Sequence, residues 1–422
     1  MSDIKYLSVK GSTYQFHDES AHNTYASLLA TYSYLGAYIG DIPSIVDDLS
    51  DRIDQLDANI TAKENVFLSR NYLTVERTGT TPVVLKWPKA TSTRNNRTLY
   101  YSYNKIKWNP MLSNVQNTIT LNASNPKVYL KSTITSFFNS SNINYSSING
   151  NLVFIDDKAS GYSSKGTFKI SGNIMSITYG DNFGSTTSLA NKNLSHLFEN
   201  TNVTDISNLQ LPATTLSVSC YESLFKGCTS LTNVPLNLLP ATTLADGCYE
   251  SMFQGCTSLV TGPSLIANNL ASSCYKSMFQ GCTALTGLYE NTLNASIMKN
   301  YCYKSMFQGC SSMTNAPTIG ATHIATNSMA YMFKDCSNLR TIIYTGTWNA
   351  YDSTLNTNPT YPYSSSYGFG GIYGPFYYWV ENVWRTGEFI NFNNLPFRKI
   401  SDAGYAYDGI PVSFTNVTST NS

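Results

Sequence analysis

Charge is scarce in this sequence. Asp, Glu, Lys and Arg make up only 13% of the 422 residues, and the formal net charge is +1. Such a balance gives no overall field that would attract nucleic acid, an anionic membrane or an acidic substrate. We therefore expect no nucleic-acid partner.

Long apolar segments and an export signal are also missing. No run of about 18 apolar residues occurs, so we expect no insertion into a membrane. Residues Met1 to Glu19 lack the basic and apolar regions of a secretory signal. Assembly into a virus particle would bring such a chain outside the cell, and we expect it on a virion surface.

What the sequence has is a nine-residue motif, Cys-Tyr-x-Ser-(Leu or Met)-Phe-x-Gly-Cys, which begins at Cys220, Cys248, Cys274 and Cys302. Weaker copies lie on either side. Six phenylalanines mark the repeats at steps of 27, 28, 26, 28 and 26 residues: Phe198, Phe225, Phe253, Phe279, Phe307 and Phe333. A period of about 20–30 residues is typical of solenoids, whose units bury their apolar faces against each other. We predict a six-repeat solenoid over residues 179–345.

Each repeat is expected to combine a short strand with a helical turn. The segment after the second cysteine, such as Ser230 to Val234, alternates like a strand. The Cys-Tyr-x-Ser-Met-Phe segment is expected to form one or two helical turns with the first cysteine, Met and Phe inward, closed by a glycine.

The nine cysteines fit neither metal sites nor obvious disulfides. There is no Cys-x2-Cys pair, and none of the four histidines has ligand-like spacing. Paired cysteines are eight residues apart, about 12 Å along a helix-like chain, whereas a disulfide needs about 4.4–6.8 Å. Bridges between adjacent repeats fit the spacing of about 4.8 Å but not obviously the side-chain direction. We expect free cysteines stacked as small core hydrophobes: Cys220, Cys228, Cys248, Cys256, Cys274, Cys282, Cys302, Cys310 and Cys336.

Catalytic motifs are not recognisable. No P-loop, Rossmann glycine pattern, nucleophile elbow or zinc-protease motif occurs. Glu222 and Glu250 share one repeat position, where the next two repeats have Lys276 and Lys304. An exposed variable position explains this better than a catalytic carboxylate pair. We predict no enzyme activity, no catalytic residues, no metal site and no cofactor.

The repeats resemble the BspA-like leucine-rich repeats of bacterial surface proteins. The resemblance rests on units such as Met-Phe-Gln-Gly-Cys-Thr-Ser-Leu from Met252 and Leu-Pro-Ala-Thr-Thr-Leu-Ala from Leu239, and on the lead-in segment Ser171 to Phe183. It covers about Tyr72 to Phe414. It implies surface display and binding, with no catalytic site. The degenerate first and last repeats depart from the pattern, and we interpret them as caps.

A heptad pattern from Asp41 to Ala62 predicts a coiled-coil stalk over residues 41–65. Arg52 and Asp57 fall at g and e positions that would bridge parallel chains. An amphipathic helix on a globular domain is the alternative, but the other face is almost wholly polar, as a stalk requires. Beta-branched a residues favour two strands, flanking domains can impose three, and we predict a parallel homotrimer. The proposed seam residues are Ile42, Val46, Leu49, Ile53, Leu56 and Ile60.

The segment before this stalk is predicted to form a hairpin, Ile4 to Phe16, and a helix, about Ser20 to Tyr38. A short N-terminal module followed by a coiled coil and distal β domains resembles the build of bacteriophage fibre proteins. The resemblance implies that residues 1–40 dock on capsid or tail proteins of a virion.

Residues 66–178 are predicted to form a β-sandwich adapter, because alternating apolar residues and turns recur at short intervals. The five predicted strands are Pro82 to Trp87, Leu99 to Tyr103, Thr118 to Leu121, Lys127 to Leu130 and Gly166 to Ile170.

Residues 346–422 form an aromatic-rich C-terminal region. Tyr and Trp over Gly/Ser-rich backbone are typical of binding surfaces. Equally, these rings could cap the open end of the solenoid. The candidate binding residues are Tyr361, Tyr363, Tyr367, Tyr373, Tyr377, Tyr378 and Trp379.

The fold expected is therefore multidomain and mainly β with short helices: an N-terminal helix and coiled coil, a β-sandwich, a leucine-rich-repeat-type solenoid and an aromatic cap. The functional prediction is a structural fibre on the head or tail of a tailed bacteriophage that binds a glycan or protein of the host surface. A bacterial cell-surface adhesin is the alternative. A glycan depolymerase is a third hypothesis, disfavoured because clustered carboxylates are missing.

Overall fold

The computed structural model describes residues 5–9, 12–16, 27, 42–87, 98–112, 117–133, 153–155, 166–293, 295–325, 327–346, 380, 383, 387–391, 399–400, 410–411 and 414–417. The chain divides into two compact units, Met1–Arg70 and Asn71–Ser422. The described residues are mainly β, which confirms the predicted fold class at that level.

The first unit contains a hairpin and a helix. Strands β1 (Lys5–Val9) and β2 (Ser12–Phe16) pair antiparallel, and the long helix α1 spans Ile42–Ser69. The predicted helix of residues 20–38 lies outside the described residues except for Ser27. Helix α1 runs beyond the predicted stalk end at residue 65. Within the described residues of this one chain α1 is a single helix, and its predicted association with the helices of other chains stays a prediction.

The second unit begins with two β-sheets. Strands β6, β5, β8, β3 and β10 pair antiparallel in that order, and strands β7, β4 and β9 form a smaller sheet. A strand occurs at each of the five predicted positions. The eight strands are β3 (Leu73–Arg77), β4 (Val83–Trp87), β5 (Thr98–Ser102), β6 (Asn109–Leu112), β7 (Asn117–Leu121), β8 (Lys127–Ser132), β9 (Val153–Ile155) and β10 (Phe168–Asn173).

Alternating burial explains why these segments form strands. In β8, Val128, Leu130 and Ser132 are buried while the residues between them are half-buried, as the two-residue period of a strand requires. Leu85 from the smaller sheet and Val75 from the larger one belong to the same buried core. The two sheets therefore share one apolar interior.

The larger sheet continues into the first repeat. Strand β10 pairs in parallel with β11 (Val203–Asp205) and with β12 (Leu209–Gln210). Between β10 and the repeats lie a short helix, α2 (Ser176–Tyr179), and a 3-10 turn, Gly180–Ser185. This pairing covers the apolar end of the first repeat, so the sheets and the repeats share a continuous core.

Neighbouring repeats pair through short parallel strands. These are β13 (Thr261–Gly262) with β14 (Gly287–Leu288), and β15 (Thr292–Leu293), β16 (Thr318–Ile319) and β17 (Thr341–Tyr344) in series. The same sheet continues in parallel through β18 (Gly387–Asn391) and β21 (Phe414–Val417). A further parallel pair joins β19 (Lys399–Ile400) to β20 (Ile410–Pro411). The C-terminal region thus extends the sheet of the repeats.

The motif Cys-Tyr-x-Ser-(Leu or Met)-Phe-x-Gly-Cys is a run of turns, which corrects the predicted helical turns. Every fourth residue has left-handed backbone, with φ of 54° at Ser219, 55° at Ser223 and 71° at Gly227. The N–H of Leu224 donates to the carbonyl of Tyr221, three residues back, at 3.2 Å. A positive φ at the third position of a four-residue turn is the geometry of a type II turn.

The remaining amides of each motif bond to the next repeat. Tyr221 N donates to Cys248 O at 3.0 Å, and Phe225 N donates to Met252 O at 2.9 Å. The same register recurs at the last junction, where Phe307 N donates to Met332 O at 2.9 Å. Buried backbone donors need partners, and here alternate donors are satisfied within a repeat and between repeats. Stacking of repeats is therefore built into the backbone.

Among the described residues, none of the helices combines the length and apolarity needed to cross a membrane.

Candidate functional site

A column of stacked phenylalanines runs through the interior of the repeats. Adjacent ring centroids are 5.5–5.7 Å apart and nearly parallel, from Phe198 through Phe225, Phe253, Phe279 and Phe307 to Phe333. Offset-stacked rings at this separation attract each other in addition to burying apolar area. The column fixes the lateral position of each repeat on the one before.

The second cysteine of each motif bonds to this column. Cys228 Sγ donates to Phe198 O at 3.1 Å, and Cys282 Sγ donates to Phe253 O at 3.0 Å. The pattern holds to the last repeat, where Cys336 Sγ donates to Phe307 O at 3.0 Å. Because each S–H is directed at a carbonyl of the preceding repeat, these sulfurs serve as hydrogen-bond donors between repeats. All nine cysteines are buried, and none of them forms a disulfide.

The first cysteines lie beside a second aromatic column. Tyr221, Tyr249, Tyr275 and Tyr303 are buried, with ring centroids 5.8–5.9 Å apart. The hydroxyls of Tyr221 and Tyr249 are buried without a hydrogen-bond partner in the described structure. Burial raises the pKa of these two hydroxyls well above the usual range.

Burial also suppresses the chemistry of the thiols. Desolvation raises the pKa of Cys220, Cys274, Cys282 and Cys336 to about 12. The thiolate is the form that reacts and binds metals, so protonated buried thiols are inert at neutral pH. Across the described ranges, no three His, Cys, Asp or Glu side chains cluster as metal ligands. The cysteines therefore contribute to the packing of the core.

Half-buried side chains on the same turns form what we call the polar edge. It comprises the third and seventh residues of the four strong motifs and the seventh-position counterparts in the two end repeats: Glu199, Glu222, Lys226, Glu250, Gln254, Lys276, Gln280, Lys304, Gln308 and Lys334. Equivalent residues meet across repeats. Lys276 Nζ lies 2.7 Å from Glu250 Oε1, and Gln254 Nε2 donates to Gln280 Oε1 at 2.8 Å.

The first two repeats hold a compact charged cluster on this edge. His196 Nδ1 lies 2.6 Å from Glu199 Oε2, and Lys226 Nζ lies 3.6 Å from Glu199 Oε1. Burial raises the pKa of Glu199, but the hydrogen bond from His196 and the charges of His196 and Lys226 outweigh it, so this pKa lies below its usual value. Glu199 is therefore an ionised structural partner.

A groove of about 860 Å³ lies beside β10 and the first two repeats. Its lining combines amides, carboxylates, one lysine and three prolines: Asn71, Glu76, Lys169, Ile170, Ser171, Gly172, Asp205, Ser207, Asn208, Leu209, Gln210, Leu211, Pro212, Pro235, Asn237 and Pro240. Asn71 Nδ2 donates to Gln210 Oε1 at 3.2 Å across it. Amide groups offer both donors and acceptors to a polar ligand.

The two carboxylates of the groove are held by structural partners. Glu76 lies 3.4 Å from the Nζ atoms of Lys127 and Lys169. Asp205 Oδ1 accepts the backbone N–H of Ser207 at 2.7 Å. Hydrolysis of a glycosidic bond requires a protonated carboxylic acid beside a carboxylate. Both carboxylates are already engaged by neighbouring groups of the protein, so this arrangement suits binding better than hydrolysis.

The predicted seam of α1 does not have uniform exposure. Ile53 is buried, with 7% of its surface exposed, whereas Val46 and Leu56 are 40% and 41% exposed. Leu49 is half-buried, and the side chains of Ile42 and Ile60 lie outside the described part. Arg52 Nη1 lies 4.0 Å from Asp48 Oδ2 within the same helix, at the surface. The proposed bridge from Arg52 to Asp57 of a second chain stays a prediction.

The predicted aromatic binding residues lie outside the described residues, which stop at residue 346 and resume at residue 380. Their role as ligand site or cap stays a prediction. The docking function assigned to residues 1–40 is likewise untested, since only the β1 and β2 hairpin and Ser27 of that segment are described.

No family model, no curated protein and no solved structure matches this chain.

Sequence reasoning missed the groove and the left-handed serines. Glu76 and Asp205 come from distant parts of the chain, so no local pattern brings them together. Ser223 and its equivalents have positive φ, which a serine rarely adopts. A serine in the sequence therefore does not predict this backbone conformation. Gly227 is a signal of left-handed backbone in the sequence, but a glycine at this position also fits the end of a helix.

Proposed function

We propose that the chain is a structural fibre protein of a bacteriophage virion, on the head or the tail, whose repeats form a solenoid that adheres to the host cell surface. One observation carries the proposal. The repeats hold identical interior columns while their polar edge varies from repeat to repeat, as a scaffold for display does. The protonated, buried thiols and the engaged carboxylates of the groove support binding without turnover.

In this proposal the second unit is the adhesive part. The sheets of residues 66–178 form the β-sandwich adapter that carries the solenoid, and the resemblance to BspA-like repeats supports surface display. The ligand is a glycan or protein of the host envelope. The groove beside β10 and the polar edge are the candidate contact surfaces, with the aromatic residues from Tyr361 to Trp379 as a third.

The location of the protein tests this proposal. Antibodies raised against residues 179–345 are expected to label purified virions in electron microscopy, and an excess of the full-length protein should compete with virion adsorption to host cells. Labelling of bacterial envelopes in uninfected cultures would favour the cellular adhesin instead. Release of soluble oligosaccharides from purified envelopes would favour the depolymerase.

The first unit is proposed to hold three chains together through α1. Among the described side chains of the seam, Val46 and Leu56 are the exposed ones, so replacing both with Asp leaves the buried Ile53 in place. Light scattering should give three times 46.6 kDa for the native chain and a monomer for the double variant. Asp51→Asn on the exposed face is the matched control and should stay trimeric. A native monomer would contradict this assembly.

A further inference from the structure

Tyrosine occupies two left-handed positions in the last two repeats, where the first repeat has Lys192 and His196 and the strong motifs otherwise have serine or glycine. The residue before each motif is Ser219, Gly247 or Ser273 in earlier repeats but Tyr301 in the fifth, with φ of 60°. The fourth motif residue is serine from Ser223 to Ser305 but is Tyr331 in the sixth repeat, with φ of 58°. Left-handed backbone is disfavoured for bulky side chains, and such outliers concentrate at functional sites.

These two tyrosines surround lysines of the polar edge. Lys304 Nζ lies 5.3 Å from the ring centre of Tyr301 and 5.9 Å from that of Tyr331. Lys334 Nζ lies 5.4 Å from the ring centre of Tyr331. All four side chains are half-buried. They form a continuous patch of two aromatic faces and two ammonium groups, which we call the Tyr-Lys patch.

The charge of Lys304 lacks the partner that its neighbour has. Lys276, one repeat earlier in the same column, pairs with Glu250 at 2.7 Å. The next residue in that column after Lys304 is Ala330, and no carboxylate pairs with Lys304 within the described part of the chain. The ammonium groups of Lys304 and Lys334 both lie beside the ring of Tyr331, and two like charges there favour an anion, since opposite charges attract within the screening length of about 8 Å.

We propose that the Tyr-Lys patch binds an acidic oligosaccharide, a sugar ring that carries a carboxylate, sulfate or phosphate group. The C–H face of a pyranose ring packs on the flat face of Tyr301 or Tyr331, which is apolar and rigid. The anionic group meets the ammonium groups of Lys304 and Lys334, which bind anions as point charges. This inference deepens the proposed adhesion and rests on it for its biological setting.

Binding of the full-length protein is measured by titration calorimetry against oligogalacturonate, sulfated dextran, a polyglycerol phosphate and neutral dextran. The native protein should bind at least one of the three anionic polymers and not neutral dextran, and the affinity should fall as salt is added. The preferred polymer identifies the acidic group. Equal binding to neutral dextran, or none to any anionic polymer, would overturn the proposal.

Variants locate the site. Tyr331→Ser and Tyr301→Ser install the residue that other repeats have at these left-handed positions, so folding should be preserved, and each should weaken binding at least tenfold. Lys334→Gln should do the same, whereas Lys226→Gln, at the equivalent motif position four repeats earlier, should change affinity less than twofold. Unchanged binding by the two tyrosine variants would place the ligand elsewhere and overturn the assignment.

Two failures can be told apart. If virions carry the protein and the protein competes for adsorption while no acidic polymer binds, the Tyr-Lys patch assignment fails and the adhesive fibre stands. If the patch binds acidic polymers but antibodies do not label virions, the ligand assignment stands and the fibre proposal fails.

Discussion

The interior and the polar edge of the repeats are built on the same turns, yet they differ in how much they vary. The interior has the same arrangement in each strong repeat, with a stacked phenylalanine and a hydrogen-bonded cysteine. The edge changes from Glu250 to Lys276 between neighbouring repeats and keeps the backbone register. Positions that stack must match their neighbours, whereas positions at the surface need only avoid repulsion. The columns therefore stabilise the fold, whereas the polar edge can vary without disturbing it.

Alkaline pH should give the largest effect on the interior. The thiols titrate near pH 9 when unfolded, and burial raises the pKa of Cys282 to about 12. Between those values the unfolded chain loses protons that the folded chain keeps, so stability falls as pH rises, by about 1.4 kcal/mol per thiol for each pH unit. The denaturant concentration at the midpoint of unfolding should be constant from pH 7 to 8.5 and fall steeply above pH 9.

The matched variant for this pH dependence is Cys282→Ala. The free energy of unfolding of this variant should be lower at pH 7. Above pH 9, however, it should fall less steeply with pH than that of the native protein, because one fewer buried thiol titrates. A protein whose stability is unchanged between pH 9 and pH 11 would show that the thiols are not buried in the folded state.

Truncation in the phenylalanine column should give the next largest effect. Phe279 is fully buried between Phe253 and Phe307, so Phe279→Ala should lower the free energy of unfolding by about 3–5 kcal/mol. Gln280→Ala, the next residue and part of the polar edge, should cost less than about 1 kcal/mol. Chemical denaturation of both variants checks the contrast between interior and edge. Equal losses of unfolding free energy in the two variants would contradict this contrast.

Backbone variants in one repeat should give smaller effects of opposite sign. Gly281 has φ of 76°, and an added Cβ would be 3.9 Å from Gly255, which is ordinary contact. Gly281→Ala should therefore cost about 1–2 kcal/mol through backbone strain alone. Ser277→Gly, at φ of 55°, should be neutral or stabilising by up to about 1 kcal/mol. Thermal melts of the two variants check this, and a destabilising Ser277→Gly would contradict the turn geometry.

The sequence predicted much of the interior and little of the surface. The repeat placed Phe225 and Cys228 inside because identical residues recur at one period. The motif predicts helical turns with the first cysteine, Met and Phe inward and a closing glycine, but a run of four-residue turns fits the same residues. The left-handed φ of Ser223 and the hydrogen bonds of alternate amides to the next repeat distinguish the two.

The sites depend on contacts between distant segments. The groove brings Asp205 to a strand of the sheets, and the Tyr-Lys patch brings Tyr331 beside Lys304 of the preceding repeat. The second contact follows from the repeat register once the stacking is known. The first depends on how β10 pairs with β11, which no local pattern encodes.

Removal of one whole repeat tests the solenoid most directly. Deleting residues 257–282 joins Cys256 to Thr283, which places equivalent positions in sequence, because the interior columns of every strong repeat match. The protein should remain folded, with one cooperative unfolding transition and a circular dichroism spectrum like that of the native chain, whereas deletion of residues 257–269 alone should unfold the repeats. An unfolded product from the whole-repeat deletion would contradict the account.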